Sequence, residues 1–135
     1  MRDKEAVMPA DAPAIRTIAM PADTNPNGDI FGGWLMSQMD LAAGNVSARR
    51  ARGRVATVAV EAITFLSPVA VGDEVSLFAK ILTVGRTSLR IEVEAWRRAR
   101  ASEETRKVTE ATFTFVAIDE TGRPRPLPPE EPAAA

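Results

Sequence analysis

From Ser88 to Arg98 the chain alternates, with apolar Leu89, Ile91, Val93 and Ala95 set between Arg90, Glu92, Glu94 and Trp96. A period of two belongs to a β-strand that turns one face to a core. The same period recurs from Asp73 to Val84, where Val75, Leu77, Ala79 and Ile81 share a face. It recurs again from Lys107 to Ile118, through Ala111, Phe113, Phe115 and Ala117. Arg54 to Leu66 reads as a fourth strand, dense in β-branched residues such as Val55, Val58, Val60 and Ile63, and stopped by Ser67-Pro68. All four are long for strands. The connections Val71-Gly72-Asp73, Gly85-Arg86-Thr87 and Ser102 to Arg106 are short, which predicts antiparallel neighbours.

One long stretch departs from this period. Gly32 to Arg52 holds no proline and stops at Gly53, a natural residue just past a helix end, with Arg49, Arg50 and Arg52 placed to complement the helix dipole. Ahead of it, Ala14 to Met20 has short strand character, and Pro21 to Gly28 is loop chemistry. A single helix and several one-faced strands pack by wrapping the sheet around the helix, an α+β domain over residues 14–122. Residues 1–13 read as a loose arm. Residues 123–135, with five prolines and three terminal alanines, are expected to be disordered.

Composition narrows the chemistry by what is missing. The chain has no His, Cys or Tyr. A Ser-His-Asp triad, a thiol nucleophile and a His- or Cys-bound metal are therefore excluded, so any catalysis rests on carboxylates and backbone amides. Net charge is −1, which offers no bulk attraction to nucleic acid or anionic membrane. No apolar run approaches the roughly 18–20 residues that span a bilayer. Cytoplasm is the expected compartment.

The candidate chemistry lies at the helix. On a wheel of about 100° per residue, Gln38, Asn45 and Arg49 define a polar pole and Asp40 projects roughly opposite. Asp40 there is either a structural hydrogen-bonding group or a general base. Gly32-Gly33 opens the helix; the pair is either a tight turn into it, with Asp29 as N-cap or Asx-turn residue, or an oxyanion hole of outward-pointing amides. Gly33 and Asp40 stand seven residues apart, about 10 Å along a helix. One carbonyl cannot touch both in the same chain, whereas two antiparallel helices across a two-fold axis would bring them together. The expectation is an active site shared across a homodimer.

The run Asp23-Thr24-Asn25-Pro26-Asn27-Gly28-Asp29-Ile30-Phe31-Gly32-Gly33-Trp34-Leu35-Met36-Ser37-Gln38-Met39-Asp40 resembles the signature of YciA-type acyl-CoA thioesterases of the hotdog fold. The resemblance continues through Arg54 to Glu61, Thr64 to Asp73, Val84 to Ser88, Thr109 to Ala111 and Phe115 to Asp119, covering roughly residues 15–127. It implies a hotdog fold, in which a long antiparallel sheet wraps around one central helix. It implies dimers whose sheets join, often three of them in a hexamer, and a cofactor-free hydrolysis of acyl-CoA in which CoA is part of substrate and product. Asp40 falls on the helix aspartate that acts on the thioester, and Asp29 on an assisting position. Gly33 and Gly32 would supply the oxyanion hole. Candidate substrate contacts are Asn27, Phe31 and Trp34 near the helix start, the latter two facing the acyl chain, with Gly85, Arg86, Thr87 and Ser88 at the CoA phosphates and Phe65, Ser67 and Pro68, ending a strand near the same edge, along the pantetheine arm. For these the plainer readings are strand termination by Pro68 and a solvated turn at Arg86. The rival function is a module that binds acyl-CoA without hydrolysing it. Hotdog dehydratases use a histidine this chain lacks.

Overall fold

The computed structural model describes residues 7–130. Five strands, β1 (Ile15–Ile18), β2 (Val55–Phe65), β3 (Glu74–Val84), β4 (Ser88–Arg98) and β5 (Thr105–Ala117), form one antiparallel sheet in the order β1-β3-β4-β5-β2. Among the described residues one α-helix, α1 (Gly32–Ala51), packs across the sheet against β2, β3, β4 and β5. A sheet packed on one helix is what the strand periods predict, and it matches the hotdog fold that the resemblance implies.

The alternating positions meet the helix as expected. Leu35, Met39, Ala42 and Ala43 of α1 pack with Val75, Leu77, Leu89, Ile91, Val93, Phe113 and Phe115 in one apolar cluster. Small residues on α1 let the helix sit close to the sheet: a Cβ on Gly44 would only just touch the Phe115 ring, at 3.7 Å. Trp96, on the opposite face of β4, is also buried, and its indole N–H donates to Glu94 Oε1 at 2.9 Å.

Strand β2 departs from strict alternation. Register shifts against β5 fall between Thr57 and Ala59 and between Glu61 and Thr64, the second holding Ala62 at φ +57°. Each shift inserts residues without a partner. The helix-side positions are therefore unevenly spaced: Val55, Val60 and Ile63 pack on the core, while Thr57 and Phe65 reach α1.

Three expectations are corrected. The turn Val71-Gly72-Asp73 does not join paired strands, because β2 and β3 lie at separate places in the sheet. It serves β1 instead: Gly72 N–H donates to Ala19 O at 2.7 Å, and Ala70 N–H donates to Asp73 Oδ2 at 2.9 Å. The left-handed residue that ends α1 is Arg52 (φ +53°), not Gly53. Gly53 instead leaves room for Arg125, whose Nη2 a Cβ there would approach to 2.7 Å, so the guanidinium would have to shift.

The third concerns the tail. Residues 123–130 are tied to the body: Arg125 N–H donates to Ala117 O at 2.9 Å, Leu127 N–H to Arg86 O at 2.8 Å, and Arg50 Nη1 to Pro128 O at 2.7 Å. The prolines favour an extended chain that can lie beside a strand end without paying much further ordering entropy. Residues 131–135 lie outside the described residues. Of the N-terminal arm, residues 7–13 are described, and Pro9, Asp11 and Ala12 border a cavity of about 330 Å³ with Phe78, Lys80 and Glu94.

Candidate active site

The N-terminus of α1 has no side-chain cap. Phe31 is the N-cap, in extended backbone (φ −114°, ψ 163°), and its carbonyl accepts from Trp34 N–H at 3.1 Å and Leu35 N–H at 3.3 Å. The amides of Gly32 and Gly33 find no acceptor among the described residues. They are the unpaired donors every helix start carries, and the helix dipole adds its positive end to them. Asp29 is neither N-cap nor Asx-turn acceptor. The loop is organised by Asn25, whose Oδ1 accepts from Asn27 N–H and Asp29 N–H, both at 3.0 Å. Gly28 holds the turn at φ +83°. The Asp29 carboxylate has no hydrogen-bond partner among the described residues.

Beside this helix start lies an open groove of about 510 Å³, lined by Ile30, Gly32, Leu35, Phe65, Leu66, Ser67, Pro68 and Val69. The glycine pair makes room for aromatic rings. A Cβ on Gly32 would lie 2.9 Å from Phe65 Cζ, and one on Gly33 would lie 3.0 Å from Phe31 Cε2. The structure thus joins Gly32, Phe65, Ser67 and Pro68 at one groove, with Phe31 and Gly33 at its border. Trp34 sits partly buried against the core. Ser67 Oγ donates to Lys107 O at 3.0 Å.

Asp40 lies about two turns further along α1, half-buried on the flank of its core-facing stripe. Thr57 Oγ1 donates to Asp40 Oδ1 at 2.6 Å, which leaves Oδ2 without a protein partner among the described residues. A carboxylate held at one oxygen and open at the other can accept a proton or attack a carbonyl.

Gly85, Arg86, Thr87 and Ser88 stand elsewhere. Ser88 pairs with Val116 and Val55 with Ala117, so this turn lies beside the start of β2. Phe65-Leu66-Ser67-Pro68 lies at the other end of β2, roughly 30 Å away for a strand of this length. The expectation that both share one edge within a chain is corrected. The long antiparallel strands put them at opposite ends of the sheet.

Residues without a role in the sequence reading also enter. Thr57 was hidden because the bulge after it breaks the period that would have marked it as helix-facing. Arg125 caps α1, donating from Nη2 to Ala51 O and from Nε to Ile118 O, both at 3.0 Å. Arg52, Arg54 and Arg125 line a second groove of about 530 Å³ with Asp119 and Glu120. Asp119 Oδ1 accepts from Arg123 N–H, Thr121 N–H and the Thr121 hydroxyl. These donors, the Arg123 amide first and the Thr121 hydroxyl next, hold its carboxyl below its ordinary value of 3.8. The pattern Asp119-Glu120-Thr121-Gly122 is its sequence signal. Among the described residues no group of acids that could hold a metal ion is found, and no helix is long and apolar enough to cross a membrane.

Residues 27–104 match the family profile of the thioesterase superfamily. An uncharacterized acyl-CoA thioester hydrolase of Zymomonas mobilis is 58% identical over 127 residues, covering 94% of this chain and 85% of the relative. The acyl-CoA thioester hydrolase YciA of Escherichia coli is 55% identical over 119 residues, 86% of this chain and 90% of the relative. The chain belongs to the YciA group of the thioesterase superfamily. Its fold is similar to that of a hexameric broad-specificity acyl-coenzyme A thioesterase, with a TM-score of 0.88 and 49% identity over 96% of this chain and 90% of that one.

Proposed function

We propose that this protein hydrolyses acyl-CoA thioesters, acyl-CoA + water → carboxylic acid + CoA. The observation that carries the reading is the pairing on one helix of two acceptor-less amides, Gly32 and Gly33, with a carboxylate, Asp40, fixed by Thr57 at a single oxygen. Amides preset for a developing oxyanion and a carboxylate brought to it from a second copy of the chain are sufficient parts for attack on a thioester, and neither requires a cofactor. Losing the oxyanion donor would raise the barrier by about 3 kcal/mol. The similarity to named acyl-CoA thioester hydrolases supports the substrate class.

The site is completed by a second copy. β2 is an edge strand whose outer side has no partner among the described residues, and Val58 (57% exposed), Phe65 (49%) and Leu41 on α1 (59%) lie open beside it. Such an edge invites pairing with another strand. Antiparallel pairing of β2 with the same strand of a partner would set the Phe65 end of one chain beside the Val55 end of the other. The partner subunit's Asp40 and its Gly85–Ser88 turn then approach the groove at Gly33. In this arrangement Gly33 N–H, with Gly32, binds the thioester oxygen, Asp40 activates water or attacks the carbonyl, and Asp29 orients the water. Phe31 and Trp34 flank the acyl chain, Phe65, Ser67 and Pro68 the pantetheine arm, and Arg86, Thr87 and Ser88 the phosphates, with Asn27 a further substrate contact. Three such dimers assemble into a hexamer, and the protein works in the cytoplasm.

Incubation with a series of acyl-CoA substrates and a thiol-trapping reagent tests the function. Continuous release of CoA thiol is the expected result. Binding of acyl-CoA with no thiol release after many hours would make this a binding module.

A further inference from the structure

The turn that carries Arg86 is stitched to the C-terminal segment. Within the hairpin, Gly85 N–H donates to Ser88 O at 2.7 Å. From outside it, Ala117 N–H donates to Thr87 O at 2.9 Å and Leu127 N–H to Arg86 O at 2.8 Å. Leu127 also packs on the core cluster. The segment that brings Leu127 there is itself anchored. A turn with Gly122 at φ +86° reverses the chain, Pro124 bridges Ile118, and Arg125 N–H returns to Ala117 O. The Arg125 guanidinium spans Ala51 O at the helix end and Ile118 O after β5. Gly53 leaves the space for it.

We infer that residues Arg125 to Leu127 are a positioning element for Arg86, which sets the protein's preference for thioesters that carry the CoA nucleotide. The inference rests on the reading above that Arg86 meets the CoA phosphates. Arg86 itself is exposed, and an exposed turn held only by its own hairpin bond would have to be ordered when a phosphate binds. Clamping its carbonyl from the Leu127 amide fixes the backbone from which the guanidinium extends, so that ordering is done on folding. The contact is to main chain. It therefore controls where Arg86 points without touching ligand, and its loss acts on binding of the remote phosphate rather than on the chemical step.

Leu127→Pro deletes the one amide hydrogen that reaches Arg86, in a segment already flanked by Pro126 and Pro128. Steady-state kinetics would be run on an acyl-CoA and on the matching acyl-pantetheine thioester, for wild type, Leu127→Pro, Arg86→Ala and the double variant. The expected result is a KM for acyl-CoA raised roughly tenfold by Leu127→Pro, with kcat and both constants for acyl-pantetheine within about twofold. In the Arg86→Ala background, Leu127→Pro should add nothing. A purely structural role would move both substrates, and would do so whether or not Arg86 is present; that outcome overturns the inference. So does an Arg86→Ala effect on acyl-CoA that Leu127→Pro fails to reproduce. No effect of Arg86→Ala at all would instead overturn the underlying placement of Arg86 at the phosphates. Should Leu127→Pro fail to fold, Arg125→Ala, which frees the segment from Ala51 and Ile118, is held to the same outcomes.

Discussion

Thr57 Oγ1 and Asp40 Oδ1 stand 2.6 Å apart, the hydroxyl of a strand bulge holding a carboxylate on the helix that crosses it. This bond ties the orientation of the proposed general base to the one irregular strand of the sheet. Asp40→Asn should lower kcat at least about a hundredfold, the scale for a group that moves protons. Thr57→Val keeps the shape and removes the donor, and should lower kcat roughly tenfold while leaving KM near wild type. Thiol release with circular dichroism as a fold check decides both. Near-normal turnover of folded Asp40→Asn would remove Asp40 from the mechanism.

The shared site makes a quantitative prediction. Gly33→Pro deletes the donor amide in the first helical turn, where proline is tolerated. It and Asp40→Ala should each be inactive alone. Mixed under conditions of subunit exchange, one intact site forms in each heterodimer, which restores roughly a quarter of wild-type turnover for random pairing. If mass spectrometry shows mixed dimers and activity stays at the level of the single variants, the two halves act within one chain.

Gly53 and Arg125 should show coupled stabilities. In the wild-type background Gly53→Ala pushes Nη2 of Arg125, 2.7 Å from the new Cβ, off the Ala51 carbonyl, at a loss of about 1 kcal/mol. Gly53 does not have a positive φ, so in an Arg125→Ala background the same change should stabilise by about 0.5 kcal/mol through the unfolded chain. Urea unfolding of the four proteins measures this reversal of sign. Additive effects would show that Arg125 does not occupy the space Gly53 leaves.

Asp119 gives a pH dependence. Its carboxyl is held below 3.8 in the folded protein by the Arg123 and Thr121 donors, so it contributes stability fully above its unfolded value and loses it as pH falls through the folded one. Asp119→Ala should therefore lower Tm at neutral pH, and the gap to wild type should close as pH drops below about 4. Thermal melts across that range are the measurement. A gap independent of pH would assign the effect to something other than the carboxylate's charge.

The elements themselves were legible because local periodicity reports burial directly. The period of two in β3, β4 and β5 placed Val75, Leu89, Ile91, Phe113 and Phe115 on the helix side, and the proline-free run from Gly32 marked α1 to within a residue of its end. The absence of His, Cys and Tyr directed the expected chemistry to carboxylates and backbone amides. Resemblance across several blocks pointed to the hotdog fold and the family.

Sheet order and the contacts between distant segments were decided only by the tertiary structure. Sequence proximity made Val71-Gly72-Asp73 look like a hairpin turn, but β3 pairs with β1 and β4 while β2 lies at the far edge beside β5. The two bulges in β2 shifted its register, and that shift, invisible to a pattern of alternation, delivered Thr57 to Asp40. The proline-rich stretch after Arg123 has the composition of a free tail, yet its carbonyls and amides find Arg50, Arg86 and Ala117. Those partners are distant along the chain, and the side chain that fills the space beside Gly53 belongs to Arg125, 72 positions away. Short-range propensity sets which segments are strand or helix; which side chains then meet is set by how a closed core can be filled.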